Sequence, residues 1–359
     1  MAQNAVGRLF RCQSCFRQPL TSFTQTRNYA HDAIPKFSPT SSPELDQMLN
    51  RFREELFIPF GLGQQQRRLM FRQKYADKLE EEPVTVTIGE DEKFQLRPMD
   101  PQTRPRKEEI VPIVKLMKTT KDWQNIIPFL SALRMSRRYL KPSRLEWLVR
   151  KAGDANALGI ILECAKQSER TGIFFNEADL AKRFFFELHE KAQMADFRGE
   201  ATSKALGLAR QAVLLMEAPE HSNKDIQRDP KRQPFIIGVL LELSAARALN
   251  EFGGNDEGGH VRAYAERLLA TWQFGSFDGE AQKWADIDHL LQVNVPVWNG
   301  IKLALQVHGI AGNKALATSL KARLDELSNL IAKQQSQAPE KVQQQPSMGY
   351  KQAQLLFKK

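Results

Sequence analysis

The histidines and cysteines of this sequence, which could bind metals or act as nucleophiles, do not form a recognisable site. Histidines at positions 189, 221, 260, 289 and 308 are scattered, without the HxxxH or HExxH spacing of a zinc site. Cys12 and Cys15 form a CxxC pair with no second pair, and Cys164 lies in an apolar helical pattern typical of a buried thiol. GxSxG and GxGxxG motifs are missing. We therefore expect no catalytic centre, metal or cofactor.

Asp286, Asp288 and His289 lie close together in the sequence, and such a group could bind a metal ion. Two acids beside a histidine at the start of a helix more often cap the helix or face solvent. We favour the second interpretation. The glycine-rich loop 253–259 lacks the Lys-Ser/Thr pair of a phosphate-binding loop, and its acids would repel phosphate.

A basic cluster is the best candidate for a binding site. Four cations are spaced at i, i+3, i+4 and i+7, which predicts one helical face: Arg134, Arg137, Arg138 and Lys141. The next predicted helix adds three more cations: Arg144, Arg150 and Lys151. Tyr139 and Trp147 are interleaved and could stack on bases while the cations bind phosphates. The alternative is a solvated helix face with two core aromatic residues.

The elements that would position this cluster are helices. Residues 108–333 carry apolar residues at helical spacing with almost no strand signal, which predicts an all-α fold, an α-solenoid-like array of helix hairpins. One helix is predicted over Asp122–Ser136, with Asp122 as its N-cap and Pro128 kinking or splitting it. The next begins at Ser143 and ends at Gly153. Residues 233–252 are apolar nearly all round, which indicates a central, fully packed helix.

The segments before and after this helical region differ from it. Residues 30–107 are predicted to form an extended arm with two helices and one small β-hairpin, too poor in apolar residues for a core of its own. The first helix starts with Ser42 as cap and Pro43 at its first position, and the second spans about Gln64 to Glu81. The Gln/Lys-rich tail, residues 334–359, is predicted to be disordered.

Residues 1–29 have the composition of a mitochondrial presequence. They contain four arginines and several Ser and Thr but no acid, and Arg27, Tyr29 and Ala30 match a processing pattern with cleavage before Ala30. The alternative is a basic, disordered N-terminus without a targeting role. These arginines and the lysines of the tail account for most of the net charge of +10, because residues 30–332 hold 43 Lys and Arg against 41 Asp and Glu. The longest apolar run, 235–243, is far short of the roughly 20 residues that span a bilayer.

Helix pairs of roughly 35–40 residues, at 122–153 and 156–195, resemble the repeats of mitochondrial pentatricopeptide and tetratricopeptide-like proteins. The segment from Ala157 to Ile173 is similar to the second helix of such a repeat and to the glycine and apolar residue that follow it. A neutral helical body with a long arm in front and a Lys/Gln tail behind also resembles accessory proteins of mitochondrial ribosomes. The second resemblance implies a folded domain docked on the ribosome, with arms that follow RNA.

We therefore expect a non-catalytic scaffold in the mitochondrial matrix that associates with the mitochondrial ribosome or RNA and supports translation there. Protein partners are expected as well, and no small-molecule substrate is evident. The alternative is an assembly or maturation factor for a respiratory-chain complex that binds protein clients. An enzyme with dispersed site residues is the least favoured reading.

Overall fold

Helices dominate the structure, a computed structural model that describes residues 34–88, 92–279 and 283–357. The predicted presequence and its processing site at Arg27, Tyr29 and Ala30 lie outside the described residues. The arm contains four helices and two strands: α1 (Pro43–Phe52), α2 (Ile58–Gly61), α3 (Gln64–Phe71), α4 (Ala76–Glu81), β1 (Thr85–Ile88) and β2 (Glu92–Gln95). A π-helical turn joins α1 to α2, and a 3-10 turn joins α3 to α4.

The second predicted arm helix is broken into α3 and α4. Arg72 is extended, with φ −100° and ψ 117°. Met70 and Leu79 are both buried in the same cluster, yet nine residues of continuous helix would place them on opposite faces. The break therefore lets both side chains face the hairpin.

The arm has a small core of its own, so the prediction that it lacks one was wrong. Val86 and Ile88 of β1 are buried while Thr85 and Thr87 are exposed, and Val86 pairs with Phe94 across the antiparallel hairpin. These residues complete a cluster to which helices and connecting segments contribute: Ile58, Leu62, Met70, Leu79, Val86, Ile88 and Leu96. The arm has few apolar residues, but its short helices and strands bring them together at one point. Composition alone therefore did not predict this core.

Helix α1 belongs to the main core rather than to the arm's cluster. Ser42 is its N-cap and Pro43 its first residue, as predicted. Leu45, Leu49 and Phe52 are buried, and the Phe52 ring lies 5.3 Å from that of Phe129. The boundary predicted at residue 107 is therefore crossed by apolar packing.

The helical body continues with thirteen helices in the described residues: α5 (Ile110–Leu116), α6 (Thr120–Trp123), α7 (Ile126–Met135), α8 (Pro142–Asp154), α9 (Leu158–Lys166), α10 (Ser168–Thr171), α11 (Ala178–Met194), α12 (Gly199–Leu215), α13 (Pro234–Glu251), α14 (His260–Thr271), α15 (Trp284–Ala304), α16 (His308–Ala311) and α17 (Lys314–Ser336). Helix α8 packs on α11, α11 on α12, and α12 on α13. The all-α class with one small hairpin is confirmed. The repeat character of the array stays a prediction.

The helix predicted over Asp122–Ser136 is split in two, and Pro128 lies in the first turn of α7, where a missing N–H costs little. The cap of α6 is Thr119 rather than Asp122. Thr119 Oγ1 accepts the N–H of Asp122, and Asp122 in return accepts the N–H of Thr119. The predicted cap was therefore three residues too late.

Helix α13 is the centre of the second half, as predicted. It is buried on all sides, packs against α11, α12, α14 and α15, and leaves Leu240 only 2% exposed. A Cβ at Gly300 of α15 would lie 2.6 Å from the carbonyl oxygen of Gly238. The two glycines therefore let α13 and α15 approach closely. Among the described residues, no helix has both the length and the apolar character to cross a bilayer.

The tail predicted to be disordered is helical instead. Beyond α17 it forms α18 (Glu340–Gln344) and α19 (Met348–Leu356), and α19 packs on α15. Asp288 accepts hydrogen bonds from Ser347 Oγ at 2.5 Å and from the N–H of Tyr350 at 3.0 Å. The Gln/Lys-rich composition did not indicate this helix. The buried carboxylate of Asp288 and a few aromatic contacts with other segments hold it in place.

Candidate nucleic-acid interface

The seven predicted basic residues do not form one helical ridge. Helix α7 ends at Met135, and Arg137 has a φ of +57°, which lets the N–H of Arg138 bond to the carbonyl of Leu133. Lys141 is extended before Pro142 and is the N-cap residue of α8. The predicted i, i+3, i+4 and i+7 alignment is therefore wrong. Glycine usually marks such a helix end, and arginine stands there in this chain.

The loop after α7 and the start of α8 nevertheless gather part of the set around an open cleft of about 580 Å³. Four cations, two aromatic residues and two acids are among its lining residues: Lys107, Lys141, Arg144, Arg150, Tyr139, Trp147, Glu108 and Glu146. Glu146 is paired with Arg183 outside the cleft, with 3.1 Å between Oε1 and Nε. The lining therefore carries an excess of positive charge.

Side chains in this cleft suit a nucleic acid. The Arg144 guanidinium lies 5.5 Å from the centre of the Trp147 ring, and Tyr139 is 56% exposed. Arginine and lysine can bind phosphate oxygens, and exposed aromatic rings can stack on bases. Lys107, which the sequence analysis did not select, donates from Nζ to the carbonyl of Tyr139 at 3.2 Å and so joins the arm to the cleft.

The remaining members of the predicted set lie outside the cleft. The Arg134 guanidinium lies over Phe174 and Tyr139, at 5.5 and 5.7 Å from the ring centres. Arg138 Nη1 donates to the carbonyl of Pro105 at 2.9 Å, and Lys151 pairs with Asp154 at 2.7 Å. Arg137 is exposed in the loop. These contacts give Arg134 and Lys151 structural roles and tie Arg138 to the segment before α5.

Several other residues considered for chemistry are buried or have structural partners. Asp288 holds α19, and no group of three or more potential metal ligands occurs in the described part of the chain. His189 and Glu242 are completely buried, with 2.6 Å between Nδ1 and Oε2, and burial raises the pKa of Glu242. Burial also raises the pKa of the Cys164 thiol to about 12, which makes it unreactive.

Comparison with known proteins assigns the chain to a family. The model of the family described as mitochondrial ribosomal protein mS27 matches residues 21–355. The chain belongs to this family. A relative, the small ribosomal subunit protein mS27 of Neurospora crassa, is 26% identical over 258 residues, which are 67% of this chain and 65% of the relative. The chain thus spans just under two thirds of that relative's length.

Membership of the mS27 family confirms the resemblance to accessory proteins of mitochondrial ribosomes. It also agrees with the mitochondrial location inferred from the sequence. The match covers the arm, the cleft and α19 together. The basic residues predicted as a binding site are not tested by it and stay a prediction.

Proposed function

We propose that this chain is a non-catalytic component of the small subunit of the mitochondrial ribosome and works in the mitochondrial matrix. The observation that carries the proposal is the family match over residues 21–355, supported by the relative named as a small ribosomal subunit protein. The acid-free, arginine-bearing residues 1–29 support import into the matrix.

The cleft is the surface proposed to meet RNA, through Lys107, Lys141, Arg144 and Arg150. Each cation that neutralises a phosphate releases condensed counterions, and this release favours binding without reading the base sequence. The exposed ring of Tyr139 adds a flat surface on which an unpaired base can stack, and Trp147, partly buried against the core, lines the cleft beside it. The nearly neutral remainder of residues 30–332 limits non-specific attraction to polyanions elsewhere on the body.

A scaffold role agrees with the burial of the titratable groups outside the cleft. His189, Glu242 and Cys164 are enclosed by helices, and Asp288 is engaged by α19. Protein neighbours on the ribosome are proposed to contact exposed apolar side chains of the body, of which Met194 and Leu214 are 75% and 73% exposed.

Sedimentation of the epitope-tagged chain from mitochondrial extract through a sucrose gradient tests the proposal. The chain is expected in the small-subunit fractions, at the same position as ribosomal RNA, and to leave them after ribonuclease treatment. Sedimentation with a respiratory-chain complex, unaffected by ribonuclease, would contradict the proposal and support an assembly factor.

A further inference from the structure

A second group of cations lies where the arm meets the body. The Arg104 guanidinium stacks on the ring of Phe71, with 4.0 Å between Cζ and the ring centre. Arg138 donates to the carbonyl of Pro105, the residue after Arg104, at 2.9 Å. Burial and the nearby charges of Arg138 and Arg67 together lower the pKa of Arg104. Arg67 lies one helical turn before Phe71 on α3, the ring on which Arg104 stacks, so the charges of Arg67 and Arg138 both oppose that of Arg104.

Two acids near Arg104 in the sequence are already engaged with other groups. Glu109 accepts a hydrogen bond from Arg51 Nη1 at 2.6 Å and another from the N–H of Arg106 at 2.8 Å. Asp100 accepts the N–H of Gln102 at 2.8 Å. No acid is among the groups that shift the pKa of Arg104. The charge of Arg104 is therefore not offset by an acid among the described residues.

Arg104 also has an unused donor. Its Nε is buried and has no hydrogen-bond partner among the described residues. The Nη groups of Arg104 likewise make no hydrogen bond or ion pair among the described residues, and an anion brought to them would accept hydrogen bonds and offset the repulsion. A phosphodiester suits the position because its oxygens can accept from several guanidiniums at once.

We propose that Arg67, Arg104 and Arg138 form a phosphate-binding site at the junction of arm and body, which takes a backbone phosphate of the RNA bound in the adjacent cleft. This inference rests on the proposed function and extends it. Lys107 and Tyr139, which join arm and body by a hydrogen bond, line the cleft, and Tyr139 follows Arg138 in the chain. RNA bound across both places would hold the arm against the body.

The test compares two neighbours on α3. Arg67 and Arg68 are both exposed, but only Arg67 is among the charges that act on Arg104. The full chain is titrated with a labelled uridine oligonucleotide over a salt series, as wild type, Arg67→Gln, Arg104→Gln, the double variant and Arg68→Gln. Unchanged circular dichroism establishes folding. Arg104→Gln could disturb the packing on Phe71. Arg67 is exposed, so Arg67→Gln is expected to fold and keeps the site testable in that case.

Arg67→Gln and Arg104→Gln are each expected to weaken binding roughly threefold to tenfold and to reduce the slope of log Kd against log salt by about one. Their combined loss should be smaller than the product of the single losses, because both contact one phosphate. Arg68→Gln should be close to wild type.

Equal losses for Arg67→Gln and Arg68→Gln would overturn the site, since binding would then depend on diffuse charge. A matching loss for polyglutamate would also overturn it, because the site would then accept protein carboxylates. If wild type sediments with the small subunit but Arg67→Gln binds the oligonucleotide like wild type, only this inference fails. If wild type does not sediment with the small subunit, the proposed function fails.

Discussion

Asp122 of the body holds Ser41 of the arm: the N–H and the Oγ of Ser41 each donate to its carboxylate at 2.8 Å. Asp122 is fully buried and also accepts the N–H of Thr119 at 2.9 Å. A parallel contact lies beside it, where Asn125 exchanges two hydrogen bonds with the backbone of Ser38, at 2.8 and 3.0 Å. Two polar side chains of the body therefore fix the point at which the arm enters.

Replacing Asp122 with Ala should destabilise the protein by roughly 1–3 kcal/mol, because the buried donors of Ser41 and Thr119 lose their acceptor. Burial alone would raise the pKa of Asp122, but the hydrogen bonds from Ser41 and Thr119 lower it to about 2. Its contribution is therefore present above the unfolded value of 3.8 and is lost as pH falls towards 2.

Thermal unfolding of wild type and of Asp122→Asn from pH 6 down to pH 2 measures this effect. The loss of stability in acid should be smaller for Asp122→Asn, while Asp77→Asn, at an exposed position on α4, should follow wild type. Identical acid profiles for all three proteins would show that the carboxylate does not hold the arm.

Leu240 on α13 tests the central helix. A carboxylate in its place would be buried without a partner, at a cost of several kcal/mol, so Leu240→Asp should give insoluble or protease-sensitive protein. Leu214→Asp makes the same change at a position that is 73% exposed and should be tolerated. Soluble yield and resistance to trypsin compare the two. An unchanged unfolding midpoint for Leu240→Asp would mean that this face of α13 is exposed.

Glu187 on α11 should make stability fall at alkaline pH. Burial, with a smaller contribution from the charge of Glu190, raises the pKa of Glu187 to about 8, although Arg183 lies 3.8 Å away. The folded protein keeps a proton that the unfolded chain releases above pH 4.5. Stability from this group is therefore fully present below about pH 4.5 and decreases as pH rises to about 8, by roughly 1 kcal/mol per pH unit.

Glu187→Gln should flatten this decrease in urea unfolding between pH 5 and pH 9. Glu169→Gln, at an exposed site on α10, serves as the control and should keep the wild-type slope. If Glu187→Gln keeps the wild-type pH dependence, a group other than Glu187 causes the loss of stability at alkaline pH.

Gly349 in α19 tests whether the C-terminal helix is docked. A Cβ at this position would lie 2.2 Å from the carbonyl oxygen of Asp288, so Gly349→Ala should displace α19 from α15. The ring of Tyr350, 5.8 Å from that of Trp284, would move away, and tryptophan emission should shift to the red. Gly309→Ala adds a methyl group in open space and should leave emission unchanged. Wild-type emission and protease resistance in Gly349→Ala would contradict the docking.

The sequence predicted the features that depend on local residue patterns and on runs of apolar residues. The apolar residues on all sides of α13 indicated a central helix, and Ser42-Pro43 marked the start of α1. The end of α7 was missed because Arg137 occupies the left-handed position where glycine is the usual signal. Docking of α19 and the stacking of Arg104 on Phe71 depend on contacts between distant segments. Periodicity within one segment carries no information on such contacts.

The most direct test of the central claim is cosedimentation with purified mitochondrial small subunits across a salt series. The charge-reversed variant is Lys141→Glu/Arg144→Glu/Arg150→Glu, and the control is Lys314→Glu/Lys321→Glu, at exposed positions on α17. Circular dichroism should be unchanged in both, because Arg144 and Arg150 are only partly buried, the three lysines are exposed, and surface charges contribute little to folding. We predict that the cleft variant binds more weakly than wild type, with the largest difference at low salt, and that the control binds like wild type. Wild-type binding by the cleft variant at every salt concentration would contradict the account.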